Sequence, residues 1–188
     1  MLINKFTKKI VNFCGTSTDD FTNEVVVKCD GTKSVIEASD GRVGCQYTFH
    51  DVADTDGSWT KALPAKVWSQ IMTQATTTSG IDVKDRSPEE FTFHPHPNPD
   101  SLTVTVTAAA PAKRPSLDDV TDTGRTTSAR VDPKLLKKIC DAAISAKAGA
   151  ITLKVPVDNS QAVVVRGATS AVGANGCELV FALAQIGD

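Results

Sequence analysis

The stretch VDPKLLKKICDAAISAKAGAITLKV, residues 131–155, decides the fold, because it holds a whole helix, its start and stop signals, and the strand that follows. Asp132 is a good N-cap, since its short carboxylate accepts hydrogen bonds from the unpaired amides of a first turn. Pro133 suits the first helical position, where its fixed φ is already helical and its missing N–H costs nothing. Leu135, Leu136, Ile139, Cys140, Ala143 and Ile144 recur at helical spacing and predict one apolar face. Lys134, Lys137, Lys138, Asp141 and Ser145 fall on the other. Gly149 is the expected helix stop, and strand-like sequence begins at 150.

The same helix-then-strands order occurs twice upstream. In MLINKFTKKIVNFCG, Ile3, Phe6, Ile10 and Phe13 form an apolar face flanked by Val11 and Cys14, with Lys5, Lys8, Lys9 and Asn12 opposite. Gly15 and the polar run 16–20 end that helix. Strands are predicted at 23–29, 34–38, 43–49 and 58–63, with Asp30-Gly31 and Asp40-Gly41 as hairpin signals. Pro64 opens a second helix whose apolar face is Leu63, Val67, Ile71 and Ala75, widened by Trp68. Lys66, Ser69, Gln70 and Thr73 lie on its other side. Strands follow at 80–85, 90–94 and 101–107, and after the third helix at 150–155, 161–166 and 177–183. The segment 108–129, rich in proline, small residues and mixed charge, has no periodicity and reads as a linker. The expected organisation is α+β: two helix–strand units over 1–110, a linker at 111–129, and a third unit, half a domain, over 130–188. Only architecture repeats, not sequence.

The 188 residues include 40% hydrophobic ones, enough for a core. No apolar run is long enough to span a bilayer. The three lysines within the N-terminal apolar pattern favour a helix over a signal peptide. Five widely spaced cysteines with no CxxC pair predict small buried hydrophobes in a reducing compartment, so the expected location is cytoplasmic. Net charge is −2, but it is unevenly spread. Segments 1–15, 61–80 and 130–150 carry a net +8 and the rest of the chain −10. A merely solvated helix face usually mixes signs, whereas the first two helices here hold no acid. That pattern favours a polyanion as partner.

Motifs for chemistry are weak. His94-Pro-His96 lies among prolines and reads as a stiff turn without metal. His50-Asp51 with Ser58 lacks a nucleophile elbow. The 173–176 stretch is glycine-rich but no lysine follows it, so a hairpin is expected there instead of a phosphate loop. The chain is therefore expected to be no enzyme and to need no cofactor.

A repeated helix and antiparallel strand set, with positive helices and acidic strands, resembles the DNA sliding clamps, the processivity factors of the bacterial beta-clamp family. LPAKVWSQI (63–71) resembles the opening of the second helix of a beta-clamp domain. VVVKCDGTKSVIEASDGRVGCQYTF (25–49) resembles the family's first strands. VDPKLLKKICDAA (131–143), with AVVVRG (162–167) further on, resembles the later half of a clamp's final domain. The likeness covers most of the chain outside 108–129. The ending ELVFALAQIGD differs from the proline-containing tail that helps form the family's partner-peptide pocket, and no residue is assigned to one.

The resemblance implies basic helices on one face and sheets on the other. It implies double-stranded DNA as ligand, met through phosphates by Lys5, Lys8, Lys9, Lys66, Lys134, Lys137 and Lys138. It also implies a DNA polymerase or another replication or repair protein as partner. About twelve helices surround a duplex in such a ring, so four copies of a three-helix chain would close it. Head-to-tail pairing of the third unit with the next subunit's first unit would then give a homotetramer. The alternative is a non-catalytic protein-interaction module with no DNA role.

Overall fold

The computed structural model describes residues 2–17, 21–50, 58–74, 80–87, 90–95, 104–107, 130–156, 162–169 and 177–184. The elements run β1 (Leu2–Asn4), a 3-10 helix (Lys5–Phe13), a short 3-10 turn (Phe21–Asn23), β2 (Glu24–Cys29), β3 (Lys33–Ser39), β4 (Val43–His50), β5 (Trp59–Pro64) and α1 (Ala65–Gln74). They continue with β6 (Gly80–Ser87), β7 (Glu90–Pro95), β8 (Val104–Thr107), α2 (Pro133–Ser145), β9 (Ile151–Lys154), β10 (Val163–Thr169) and β11 (Cys177–Leu183). The linker expected at 111–129, the glycine-rich 173–176, Asp51 and His96 lie outside the described residues.

Two antiparallel sheets form, in the orders β1-β6-β7-β8 and β5-β2-β3-β4-β11-β10-β9. The first four strands of the second order repeat the plan of the first. In each, the strand ahead of one helix is paired with the first strand after the other helix: β1 with β6, and β5 with β2. The first two units are thus built by exchanging strands.

The third unit joins them through its last strand. β11 runs antiparallel to β4, from Leu183 opposite Val43 to Cys177 opposite Phe49. The seam pairs one edge of the third unit, β11, with the first unit of the same chain, and β9 forms the other end of the seven-stranded sheet. Residues opposite each other on the seam alternate faces together. Val43, Cys45, Tyr47 and Phe49 therefore meet Leu183, Phe181, Leu179 and Cys177 in one buried layer. The 3-10 helix lies over this seam. Its Phe6 ring is 5.5 Å from that of Tyr47 on β4, and its Phe13 ring is 5.7 Å from that of Phe181 on β11.

Both DG hairpins are built alike. Gly31 and Gly41 take positive φ of 87° and 81°, where a Cβ would be strained. The aspartate ahead of each folds back on the turn: Asp30 accepts from the amides of Thr32 and Lys33, and Asp40 from those of Arg42 and Val43.

The helices differ from expectation in detail. The first is preceded by a short strand, β1, and is a 3-10 helix, so Thr7 joins Phe6, Ile10 and Phe13 on its buried side. Burying that hydroxyl is tolerated because it donates to the Asn4 carbonyl at 2.8 Å. On α1 the buried set is Trp68, Ile71 and Met72, with Val67 only partly covered. The Trp68 indole donates to the Thr7 carbonyl at 3.3 Å, which turns this face toward the 3-10 helix. On α2 the core residues are Leu135, Ile139, Ala142 and Ala143. Leu136 and Cys140 are half-buried, and Ile144 is 74% exposed.

The stop of α2 is also not Gly149. Lys147 takes φ 55° and donates to Ile144, while Ala148 donates back to Ala143, the paired bonds of a Schellman motif. Of the five cysteines, all free, Cys29, Cys45 and Cys177 are buried. Burial pushes the Cys45 thiol and the Tyr47 phenol well up and Cys177 up to about 12, so these groups stay neutral near pH 7.

Candidate nucleic-acid interface

The three helices lie side by side on one face of the seven-stranded sheet. The 3-10 helix is in the middle, packed against α1 on one flank and α2 on the other. That placement follows from the seam: joining β11 to β4 brings α2 alongside the first helix. Each helix packs apolar residues into the common core and turns its lysines away from it, with Ile144 of α2 left exposed.

The seven candidate lysines separate into two groups. Lys9, Lys66 and Lys134 are exposed and Lys5 and Lys8 half-exposed, and no carboxylate partner is found for these five among the described residues. Lys8 donates to the Thr73 hydroxyl at 2.8 Å across the first helix pair. Thr73 is two turns from Lys66 on the same face of α1, so Lys8 and Lys66 border one surface. The two remaining lysines have partners. Lys137 bonds Asp141 at 2.6 Å, an i,i+4 pair, and Lys138 lies 4.0 Å from Asp40 in the β3–β4 turn. Those two positive charges are partly offset within the chain, which weakens them as phosphate contacts. Their pairs are exposed enough to add little to stability.

The spacing of Lys137 and Asp141 is readable in the sequence. Asp40 is not, because only the β4–β11 seam brings that turn near α2. Lys61, counted with the second basic segment, belongs to another environment: it is buried on β5, with its ammonium 5.7 Å from the Trp59 ring centroid.

Of the motifs read for chemistry, His50 and Ser58 are exposed at strand ends, and the side chain of His94 is outside the described set. No helix among the described residues is long and apolar enough to cross a membrane.

No protein-family model matches the chain, and no curated protein matches it in sequence. The fold does have solved counterparts. One is a candidate DNA polymerase III beta subunit from Eubacterium rectale, superposing with a TM-score of 0.65 at 9% sequence identity. The match covers 100% of this chain and 65% of that one, so the chain spans a little under two thirds of that protein's length. At this identity the likeness is one of fold. The architecture is α+β and clamp-like, as the resemblance implied.

Proposed function

We propose that this protein is a non-catalytic, clamp-like DNA-binding protein that encircles or cradles duplex DNA without reading its sequence. The observation that carries the reading is the contiguous array of three helices, whose outward faces hold Lys5, Lys8, Lys9, Lys66 and Lys134. Lysines on flexible stems attract phosphates at a distance and through water and present no fixed fork to a base edge, so the contact is sequence-independent. The fold shared with a candidate polymerase subunit supports the same reading and suggests a polymerase or another replication or repair protein as the cargo. A ring of several copies would turn weak phosphate contacts into long retention, because DNA must then leave by an end.

Retention on nicked circular DNA against linear DNA tests this. The wild-type chain is expected to hold to the circle and run off the linear molecule. The Lys9→Glu, Lys66→Glu, Lys134→Glu variant is expected to lose retention while keeping its circular-dichroism spectrum. Equal binding by variant and wild type would remove the helix face as the DNA surface.

A further inference from the structure

Positive charge stands open on two of the three helices and is covered on the third. The 3-10 helix and α1 hold no acid of their own. Within α2, by contrast, two of the three lysines meet a carboxylate: Lys137 meets Asp141 at 2.6 Å, and Lys138 meets Asp40 at 4.0 Å. Lys134 is the α2 lysine left without one. The two acids come from different elements, one from α2 itself and one from the β3–β4 turn beneath it.

Folding alone requires neither charge. Asp40 divides its two oxygens between two tasks. Its Oδ1 accepts from the amides of Arg42 and Val43, both at 2.9 Å, and so closes the turn. Asparagine offers the same oxygen and suits such a hairpin equally well, so the turn needs no charge at position 40. The second oxygen, Oδ2, is the one that faces the Lys138 ammonium. The turn is held there from the seam, where the Ala184 amide donates to the Arg42 carbonyl at 2.8 Å. The Asp40 side chain is only 19% exposed, so its charge is screened less than that of a free surface carboxylate. Asp141 is placed against helix preferences as well. Lysine ahead of aspartate is the weaker order for an i,i+4 pair, and an acid toward the C-terminal end of a helix opposes the helix dipole.

We propose that Asp40 and Asp141 limit how tightly the helix face holds DNA, by keeping Lys137 and Lys138 from the phosphates. The inference rests on the DNA reading given above and adds which acids set the strength of that contact. Each acid acts twice, because it neutralises a lysine and also repels an approaching phosphate. Duplex DNA is then held mainly over the 3-10 helix and α1, with α2 contributing Lys134. Affinity at a given salt concentration follows the number of phosphates neutralised, so two withheld lysines make the contact looser and more easily shifted along the duplex.

Titration of a short fluorescent DNA duplex over a series of salt concentrations tests it, with the full chain as wild type, Asp40→Asn, Asp141→Asn and the double variant. Asparagine keeps the turn's acceptor, so each variant is expected to keep its circular-dichroism spectrum. Asp141→Asn leaves the β3–β4 turn untouched and reads the effect even where a change at position 40 disturbs it. The double variant is expected to bind roughly tenfold more tightly at low salt, and its plot of log affinity against log salt to steepen by about 0.9 for each released lysine. Adding Lys137→Gln and Lys138→Gln to the double variant is expected to abolish both gains. A wild type that binds DNA and a double variant with the same affinity and slope overturn the proposal and leave the DNA reading standing. So does a gain that persists without the two lysines, since it then reflects net charge alone. No DNA binding by the wild type or any variant removes the DNA reading, and this proposal with it.

Discussion

Two residues show how local chemistry sets the turns that the rest of the fold depends on. Lys147 sits in the left-handed region at φ 55°, where a side chain is strained by roughly 1 kcal/mol, and it does so because the Schellman bonds end α2 there. Lys147→Gly is therefore expected to stabilise the protein by about 0.5–1 kcal/mol in urea unfolding; a loss of stability would mean that the lysine ammonium at the helix C-terminus outweighs the strain. Asp30 acts through charge. The backbone amide of Lys33, then the amide and hydroxyl of Thr32, hold its carboxyl below the usual aspartate range. A depressed folded pKa gives stability that is complete above the unfolded value and is lost as pH falls through the folded one. Asp30→Ala is thus expected to lower the melting temperature at pH 7, and the gap from wild type should narrow steadily as pH drops below about 4. A gap that does not change with pH would leave turn geometry, not the ionised carboxylate, as its source.

At the scale of elements, helix α2 separates what sequence periodicity can decide from what it cannot. Apolar spacing correctly placed Leu135, Ile139 and Ala143 in the core and the lysines outside it. It also put Leu136 and Ile144 inside, because periodicity gives the width of an apolar face but not how much of it a neighbour covers. Ile139→Ala is expected to cost about 2–5 kcal/mol and Ile144→Ala under about 0.5 kcal/mol in the isolated chain. Equal costs would contradict the observed rotation of the helix. The strands were easier to read, since Asp-Gly pairs and alternating valines fix a hairpin locally; β11 was placed at 177–183, as found. The first helix was harder. Lys5–Phe13 has helical spacing, but whether its turns close as 3-10 or α depends on how Phe6 and Phe13 must reach β4 and β11. For the candidate interface, lysine positions were legible as charge on helix faces, whereas the partial offset of Lys138 by Asp40 depends on tertiary contact and was not.

At the scale of the whole molecule, the β4–β11 seam matters most, because it decides whether the third unit is a separable domain. A boundary at 111–129 suits a chain whose helix–strand units are read one after another, yet the described strands on either side of it form one sheet. Phe181 on β11 is fully buried, and its ring packs against Phe13 of the first helix, so the apolar core crosses the boundary as well. Continuous hydrogen bonding and a shared core are expected to make unfolding cooperative across both parts. The two tryptophans, Trp59 and Trp68, both belong to the first two units, so their fluorescence reports on those units alone. Phe181→Ala, made in the third unit, is expected to cost about 3–5 kcal/mol. The tryptophan transition should move to lower denaturant by the same amount as the far-ultraviolet circular-dichroism transition, and the two should coincide. A tryptophan transition left in place while the circular-dichroism curve splits in two would make the third unit an independent domain. The seam would then be a docking contact instead of part of one folding unit.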